Sequence, residues 1–165
     1  MPIQLHWVEG PWSGKLALEA RPRGDDWLDD DLNCWRSAGV DEVISLLTPD
    51  EEEDLGLRAE AETARAHGMS FTSFPIRDRH VPDSRAKLDE MIATMGRQLC
   101  AGKNLLLHCR QGIGRTGTVA ACLLIKSGMS PGGAVEAISV ARGIPVPETQ
   151  EQRDFIERYA PAFSK

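Results

Sequence analysis

The sequence lacks several features that would each have pointed to a class of function. No apolar run approaches the roughly 20 residues needed to span a bilayer, and the first ten residues lack the basic and apolar regions of a signal peptide. The four cysteines include no CxxC pair, so no disulfide framework is indicated. The net charge of −6 argues against nucleic acid and anionic membranes as partners. We therefore expect a cytoplasmic protein, taken to be monomeric, that binds neither nucleic acid nor membrane.

The order of apolar segments predicts an α/β fold built as one domain over residues 1–165. Short apolar runs predict three strands, at residues 43–47, 70–74 and 105–108. Helical patterns alternate with these strands, which is typical of a mostly parallel sheet with helices on both faces. Alternation in residues 3–8, followed by turn residues, predicts a hairpin at one edge. We expect four to five strands in total.

A helix start is predicted at Thr48, where a capping box with Glu51 encloses a proline at the first helical position. The helical pattern resumes after this acidic first turn and continues until Gly68. We interpret the acidic run of residues 50–54 as a solvated face that suits the helix dipole.

Residues 104–125 contain the motif that bears most directly on function. A buried strand pattern ends at His108 and Cys109, five residues follow, and Arg115 and Thr116 then open an apolar helix. The N–H groups of a glycine-containing loop and of a helix N-terminus form an anion-binding nest. The same field favours a thiolate at Cys109, and Arg115 offers a planar fork for two phosphoryl oxygens. A nucleophile and an anion site are therefore predicted to share this loop.

This segment resembles the signature of the cysteine-dependent protein phosphatases, which is His-Cys, five residues, Arg, then Ser or Thr. The resemblance implies the protein-tyrosine-phosphatase-like fold and a two-step hydrolysis that needs neither metal nor cofactor. In that reaction Cys109 attacks phosphorus and forms a phosphocysteine, while Arg115 and the loop amides hold the three equatorial oxygens. The phosphate-binding amides implied are those of Arg110, Gln111, Gly112, Ile113, Gly114 and Arg115.

Two other interpretations of the same loop were weighed. Residues 112–117 also satisfy the G-x-G-x-x-G dinucleotide pattern, and Glu136 lies at about the distance of a ribose-binding acid. Glu136 sits in a helical pattern, however, whereas that acid should end a second strand. A buried structural cysteine is the usual role of a lone Cys, and the arginine at this spacing disfavours it for Cys109.

The leaving oxygen of the substrate needs a proton from an acid outside the loop. Residues 73–83 leave a predicted parallel strand at its carboxyl end and resemble the Pro-Ile-x-Asp acid loop of the small dual-specificity phosphatases. The resemblance implies that Asp78 is the general acid and Asp83 a helix cap. The alternative for Asp78 is a solvated carboxylate paired with Arg77 or Arg79.

Three further residues complete the predicted site. Thr116 lies where its hydroxyl is able to stabilise the thiolate when sulfur leaves, or to cap the helix. His108 is expected to point into the core and orient the cysteine. Gln152 matches a family pattern of Thr, two residues, Gln, two residues and an aromatic, which implies a place near the hydrolytic water. Its alternative is a polar surface residue on an amphipathic helix.

In chain length and in its acid loop, the protein resembles the small dual-specificity phosphatases, close to their cyclin-dependent-kinase-inhibitor-like and Cdc-fourteen-like branches. Lipid phosphatases of this superfamily carry lysines inside the loop, whereas Gln111 and Ile113 are neutral here and only Arg110 adds charge. We therefore expect a phosphorylated protein as substrate, phosphotyrosine first and phosphoserine or phosphothreonine next, ahead of a phosphoinositide. The histidines have no metal-ligand spacing, so no metal is expected.

Overall fold

One five-stranded sheet forms the centre of the structure, a computed structural model that describes residues 4–159. Residue 3 of the predicted hairpin and the two ends of the predicted domain lie outside the described residues. The strands are β1 (Trp7–Val8), β2 (Leu16–Glu19), β3 (Glu42–Ser45), β4 (Ser70–Ser73) and β5 (Leu105–His108). They lie in the order β1-β2-β5-β3-β4, with β1 antiparallel to β2 and the other three pairings parallel. The predicted α/β fold and its edge hairpin are confirmed.

Seven α-helices cover the sheet within residues 4–159. They are α1 (Leu28–Ser37), α2 (Pro49–Asp54), α3 (Glu60–Ala66), α4 (Arg85–Cys100), α5 (Gly114–Lys126), α6 (Pro131–Arg142) and α7 (Gln150–Tyr159). Because side chains alternate across a strand, Leu105 and Leu107 of β5 face a core that contains α4 to α7, whereas Leu106 faces α1 and α3. The sheet is therefore buried on both faces. Among residues 4–159, no helix combines the length and the apolar character of a membrane span.

The helix predicted to run from residue 49 to Gly68 is two helices, and the continuous prediction is wrong. The capping box forms as expected, since the Thr48 side chain accepts from the Glu51 N–H and the Glu51 carboxylate accepts from the Thr48 N–H. Gly56 then takes a left-handed conformation (φ +70°), and the N–H of Leu57 bonds back to the Glu52 carbonyl. This pairing is a Schellman motif, and it ends α2 after six residues.

The carboxyl ends of the three adjacent parallel strands β5, β3 and β4 meet at one edge of the sheet. Ser45 of β3 lies opposite His108 of β5 on one side and Ser73 of β4 on the other. The segments that leave these ends are α2, the cysteine loop and the predicted acid loop. Parallel pairing thus gathers three stretches that are far apart in sequence, at the edge where ligands of open α/β sheets bind.

Candidate active site

Cys109 follows β5 directly and lies at a small cavity over the helix α5. The residue is 3% exposed, and the Gly112 N–H donates a hydrogen bond to its Sγ at 3.3 Å. The cavity measures about 100 Å³. It is lined by Asp78, Arg79, Cys109, Arg110, Gln111, Gly114, Arg115 and Glu148. The thiol is therefore buried from bulk solvent but open to a pocket that the predicted phosphate-binding residues share.

Arg115 occupies the first turn of α5 and is only 1% exposed. Its Nη1 and Nη2 donate to the two carboxylate oxygens of Glu51 at 2.7 and 2.9 Å, and Nη1 also donates to the Ile76 carbonyl at 2.8 Å. Burial lowers the pKa of this guanidinium, but the hydrogen bonds that it donates to Glu51 and the surrounding negative charge outweigh burial and raise its pKa. Arg115 is thus a fixed cation at the cavity wall.

Glu51 is the residue that the sequence interpretation missed: its pattern assigns it to the capping box and to a solvated acidic face, and the second assignment is wrong because Glu51 is buried. Burial raises the pKa of its carboxyl group, but the hydrogen bond from Arg115 and the Thr48 N–H outweigh burial and lower it to about 2. The carboxylate also receives a longer contact from Arg110 Nε at 3.4 Å. One side chain therefore completes the capping box of α2 and holds the arginine of the loop, and the capping-box pattern alone does not indicate the second role.

Asp78 reaches the cavity from the loop that follows β4. Its Oδ1 lies 3.1 Å from Nη2 of Arg115, and half of its side chain is exposed. The pairing with Arg77 or Arg79 that we weighed from the sequence does not form; Arg79 instead pairs with Glu148 at 3.1 Å. A partly solvated carboxylate therefore stands beside the thiol and the guanidinium in one pocket.

His108 points into the core, as predicted. Its Nε2 lies 2.6 Å from Oε2 of Glu60, and its Nδ1 lies 3.2 Å from the carbonyl oxygen of Cys109. Burial lowers the pKa of His108, yet the Glu60 carboxylate outweighs burial and raises it. The ring of His108 thus bridges Glu60 and the backbone of Cys109, and Glu60 is a second residue that the sequence did not reveal.

The predictions for Thr116 and Gln152 have different outcomes in the structure. Thr116 is fully buried, and its hydroxyl has no hydrogen-bond partner within residues 4–159, so it neither caps α5 nor bonds the sulfur. Gln152 is fully buried as well, which rules out the surface alternative. Its Oε1 accepts from the N–H groups of Glu148 and Thr149, and its Nε2 donates to the His80 carbonyl. Gln152 therefore ties the acid loop to the segment beside the cavity.

Some of the residues predicted to bind phosphate line the cavity, and others do not. Arg110, Gln111 and Gly114 line the cavity, whereas Ile113 contacts the core. Gly112 has a φ of +76°, and a Cβ built on it would lie 2.5 Å from the Glu19 carbonyl, so the loop leaves no room for a side chain there.

The dinucleotide interpretation finds no support at this loop. Glu136 lies within α6 and is exposed, whereas a ribose-binding acid would end a strand. A search of residues 4–159 finds no group of three His, Cys, Asp or Glu side chains that is able to hold a metal ion.

Comparisons with known proteins place these features in a family. The model of the Swiss Army Knife protein DSP-PTPase phosphatase domain matches residues 7–154. Cyclin-dependent kinase inhibitor 3 of Rattus norvegicus is 27% identical over 170 residues, which cover 96% of this chain and 79% of that protein.

Two crystal structures were also matched. Kinase-associated phosphatase, with serine in place of its catalytic-site cysteine, superimposes with a TM-score of 0.90 at 23% identity, covering 98% of this chain and 96% of that one. Tk-PTP in its active form gives a TM-score of 0.75 at 27% identity, with 90% and 92% covered. At 23% identity the first of these matches establishes a shared fold.

Proposed function

Because the chain belongs to the DSP-PTPase phosphatase domain family, within the cysteine-based dual-specificity phosphatase superfamily, we propose that it removes phosphate from phosphorylated proteins, phosphotyrosine first. One observation carries the proposal: Cys109, Arg115 and Asp78 line the same cavity of about 100 Å³. A water molecule takes about 30 Å³ in the liquid, so the cavity has the volume of about three water molecules. A space of this size suits a group of a few heavy atoms, such as a single phosphoryl group.

Substrate binding uses the donors that Arg115 still has available. Both hydrogens of Nη1 are taken, by Glu51 and by the Ile76 carbonyl, while Nη2 donates one hydrogen to Glu51 and lies 3.1 Å from Asp78 Oδ1 as an ion pair. Nε has no partner among residues 4–159. An incoming phosphoryl group therefore takes Nε and the second Nη2 hydrogen, and it displaces the Asp78 carboxylate from its ion pair toward the leaving oxygen.

The first chemical step transfers the phosphoryl group to sulfur. The thiolate of Cys109 attacks phosphorus in line, the bond to the leaving oxygen breaks, and Asp78 gives that oxygen a proton. Arg115 and the loop N–H groups stabilise the charge on the equatorial oxygens. In the second step water attacks the phosphocysteine, Asp78 takes its proton, and the thiolate and inorganic phosphate are released.

A phosphorylated protein is the substrate class that the rim of the cavity supports. Polyphosphorylated lipid headgroups need several cations, but Arg79 at the rim is paired with Glu148 and Arg110 lies near Glu51. The name of the matched kinase-associated phosphatase is in keeping with a protein substrate. We place the enzyme in the cytoplasm, where a reducing environment keeps its thiol active; the four cysteines are free.

The proposal is tested by assaying phosphate release in EDTA from peptides bearing phosphotyrosine, phosphoserine or phosphothreonine, and from phosphoinositide vesicles. Cys109→Ser is compared with Cys100→Ser, because Cys100 is an exposed cysteine on α4. We expect the fastest release from the phosphotyrosine peptide, none from Cys109→Ser and wild-type rates from Cys100→Ser. Turnover by Cys109→Ser would contradict the proposal, and faster release from vesicles would move the substrate to lipid.

A further inference from the structure

The outer side of the phosphate loop is held by an arginine that neither the motif nor the cavity includes. Arg142 is the last residue of α6, which Gly143 ends in a left-handed conformation (φ +77°). Its Nη2 donates to the Gln111 carbonyl at 3.0 Å and its Nε donates to the Gly112 carbonyl at 3.1 Å. Two successive carbonyls of the loop are therefore fixed by one planar fork.

The third arm of the same guanidinium is held from the sheet. Nη1 of Arg142 lies 2.9 Å from Nδ1 of His6. The carboxylate of Glu19, at the end of β2, accepts from the backbone N–H of His6 at 2.5 Å, which ties His6 to the sheet and leaves Nδ1 to accept from Arg142. The half-buried Arg142 is thus oriented by β2 through His6, which leaves its other two arms directed at the loop.

A peptide unit is rigid and planar, so the direction of a carbonyl fixes the direction of the N–H that follows it. The carbonyl of Gln111 and the N–H of Gly112 belong to one such unit. Arg142 holds the carbonyl end, and the N–H end donates to Sγ of Cys109 at 3.3 Å. The next unit has the same arrangement, because Arg142 binds the Gly112 carbonyl and the N–H of Ile113 faces the opposite way.

We propose that Arg142 is a positioning residue for the reaction: it holds two peptide units of the phosphate loop so that their N–H groups face the thiolate and the phosphoryl oxygens. The inference rests on the proposed function for its turnover readout only. Lysine cannot take over the role, because an ammonium is a point charge and does not bridge two carbonyls at fixed angles.

The test compares Arg142→Lys with Arg97→Lys, since Arg97 is also a basic residue in the last turn of a helix but donates to Thr94 of its own helix. Three quantities are measured: the pH dependence of Cys109 alkylation by iodoacetamide, read by peptide mass spectrometry; inhibition by orthovanadate; and kcat/KM. We expect Arg142→Lys to move alkylation to higher pH and to weaken both vanadate binding and kcat/KM by about 10- to 100-fold. Arg97→Lys should leave all three at wild-type values.

A folded Arg142→Lys protein with unchanged alkylation and vanadate binding overturns the proposal, even if turnover falls. Guanidinium ion added to Arg142→Ala should restore part of the lost vanadate binding, and its failure to do so counts against the role. If neither Arg142 variant folds, His6→Ala gives the same readouts with a smaller shift in the same direction, and no shift overturns the proposal. A wild-type protein that binds vanadate yet hydrolyses none of the substrates defeats the proposed function alone.

Discussion

Replacing Glu51 by glutamine removes the charge that holds Arg115 while keeping the size of the side chain. The carboxylate now accepts from Nη1 and Nη2 at 2.7 and 2.9 Å. A glutamine amide presents one oxygen and one NH2 group, so one arm of the Arg115 guanidinium would face another donor. Water cannot replace the lost acceptor easily, because Arg115 is only 1% exposed. Removing one partner of a buried ion pair costs roughly 3 to 5 kcal/mol. The retained amide oxygen offsets part of this loss, so we expect a fall of about 3 kcal/mol in the free energy of unfolding.

The pH dependence of stability gives an independent magnitude for the same interaction. The folded pKa of Glu51 is about 2 against an ordinary value of 4.5. A lowered carboxyl pKa contributes stability above 4.5 that is lost as the pH falls toward 2. At about 1.4 kcal/mol per pH unit the difference corresponds to about 3 kcal/mol, and screening by water at the cavity mouth reduces it to about 2 kcal/mol. Wild type and Glu51→Gln should therefore converge in stability in acid.

Urea unfolding at about pH 7 and about pH 3 measures both effects. The matched control is Glu53→Gln, because Glu53 lies in the same helix as Glu51 but forms an exposed ion pair with Arg58. Such exposed pairs contribute at most about 1 kcal/mol. The kcat/KM of Glu51→Gln should also fall by about 10- to 100-fold, since Arg115 loses its orientation. Equal destabilisation by the two glutamine variants at neutral pH, or a gap between wild type and Glu51→Gln that is undiminished at about pH 3, would show that the Glu51 carboxylate does not hold Arg115.

Three further changes test separate parts of the site. Thr116→Val removes a buried hydroxyl without a partner in the described structure, so stability in urea should hold or rise by up to about 1 kcal/mol, and slower phosphocysteine breakdown would support its predicted role toward the sulfur. Asp78→Ala should slow turnover by about 10²- to 10⁴-fold for substrates with poor leaving groups and much less for p-nitrophenyl phosphate; equal losses on both would exclude Asp78 as the acid. Gly112→Ala forces a Cβ within 2.5 Å of the Glu19 backbone at a φ of +76°, so we expect a loss of vanadate binding, and wild-type affinity would show that the loop yields easily.

The local parts of the site were predictable because they depend on neighbours in sequence. A strand, a glycine-containing loop and a helix N-terminus follow one another within residues 104–125, so Cys109 and Arg115 had to meet at one cavity once that pattern folded. The hairpin at the sheet edge followed from alternation and turn residues for the same reason.

The parts that the sequence did not reveal are contacts between distant segments whose residues already had a local explanation. Glu51 completes a capping box, and nothing in that pattern shows that its carboxylate also binds Arg115, 64 positions away. Glu60 at the start of α3 and Arg142 at the end of α6 suit the helix dipole in the same way. The break at Gly56 was missed because a single glycine is tolerated within a helix unless the chain turns there.

The proposed two-step reaction requires a covalent bond between phosphorus and the sulfur of Cys109. Rapid acid quenching of the wild-type enzyme during turnover of a phosphotyrosine peptide, followed by digestion and mass spectrometry, looks for that bond. We expect a phosphoryl group on the peptide that contains Cys109, formed as fast as the first burst of product. Full turnover with no phosphoryl group on that peptide, or with one on another residue, would contradict the account.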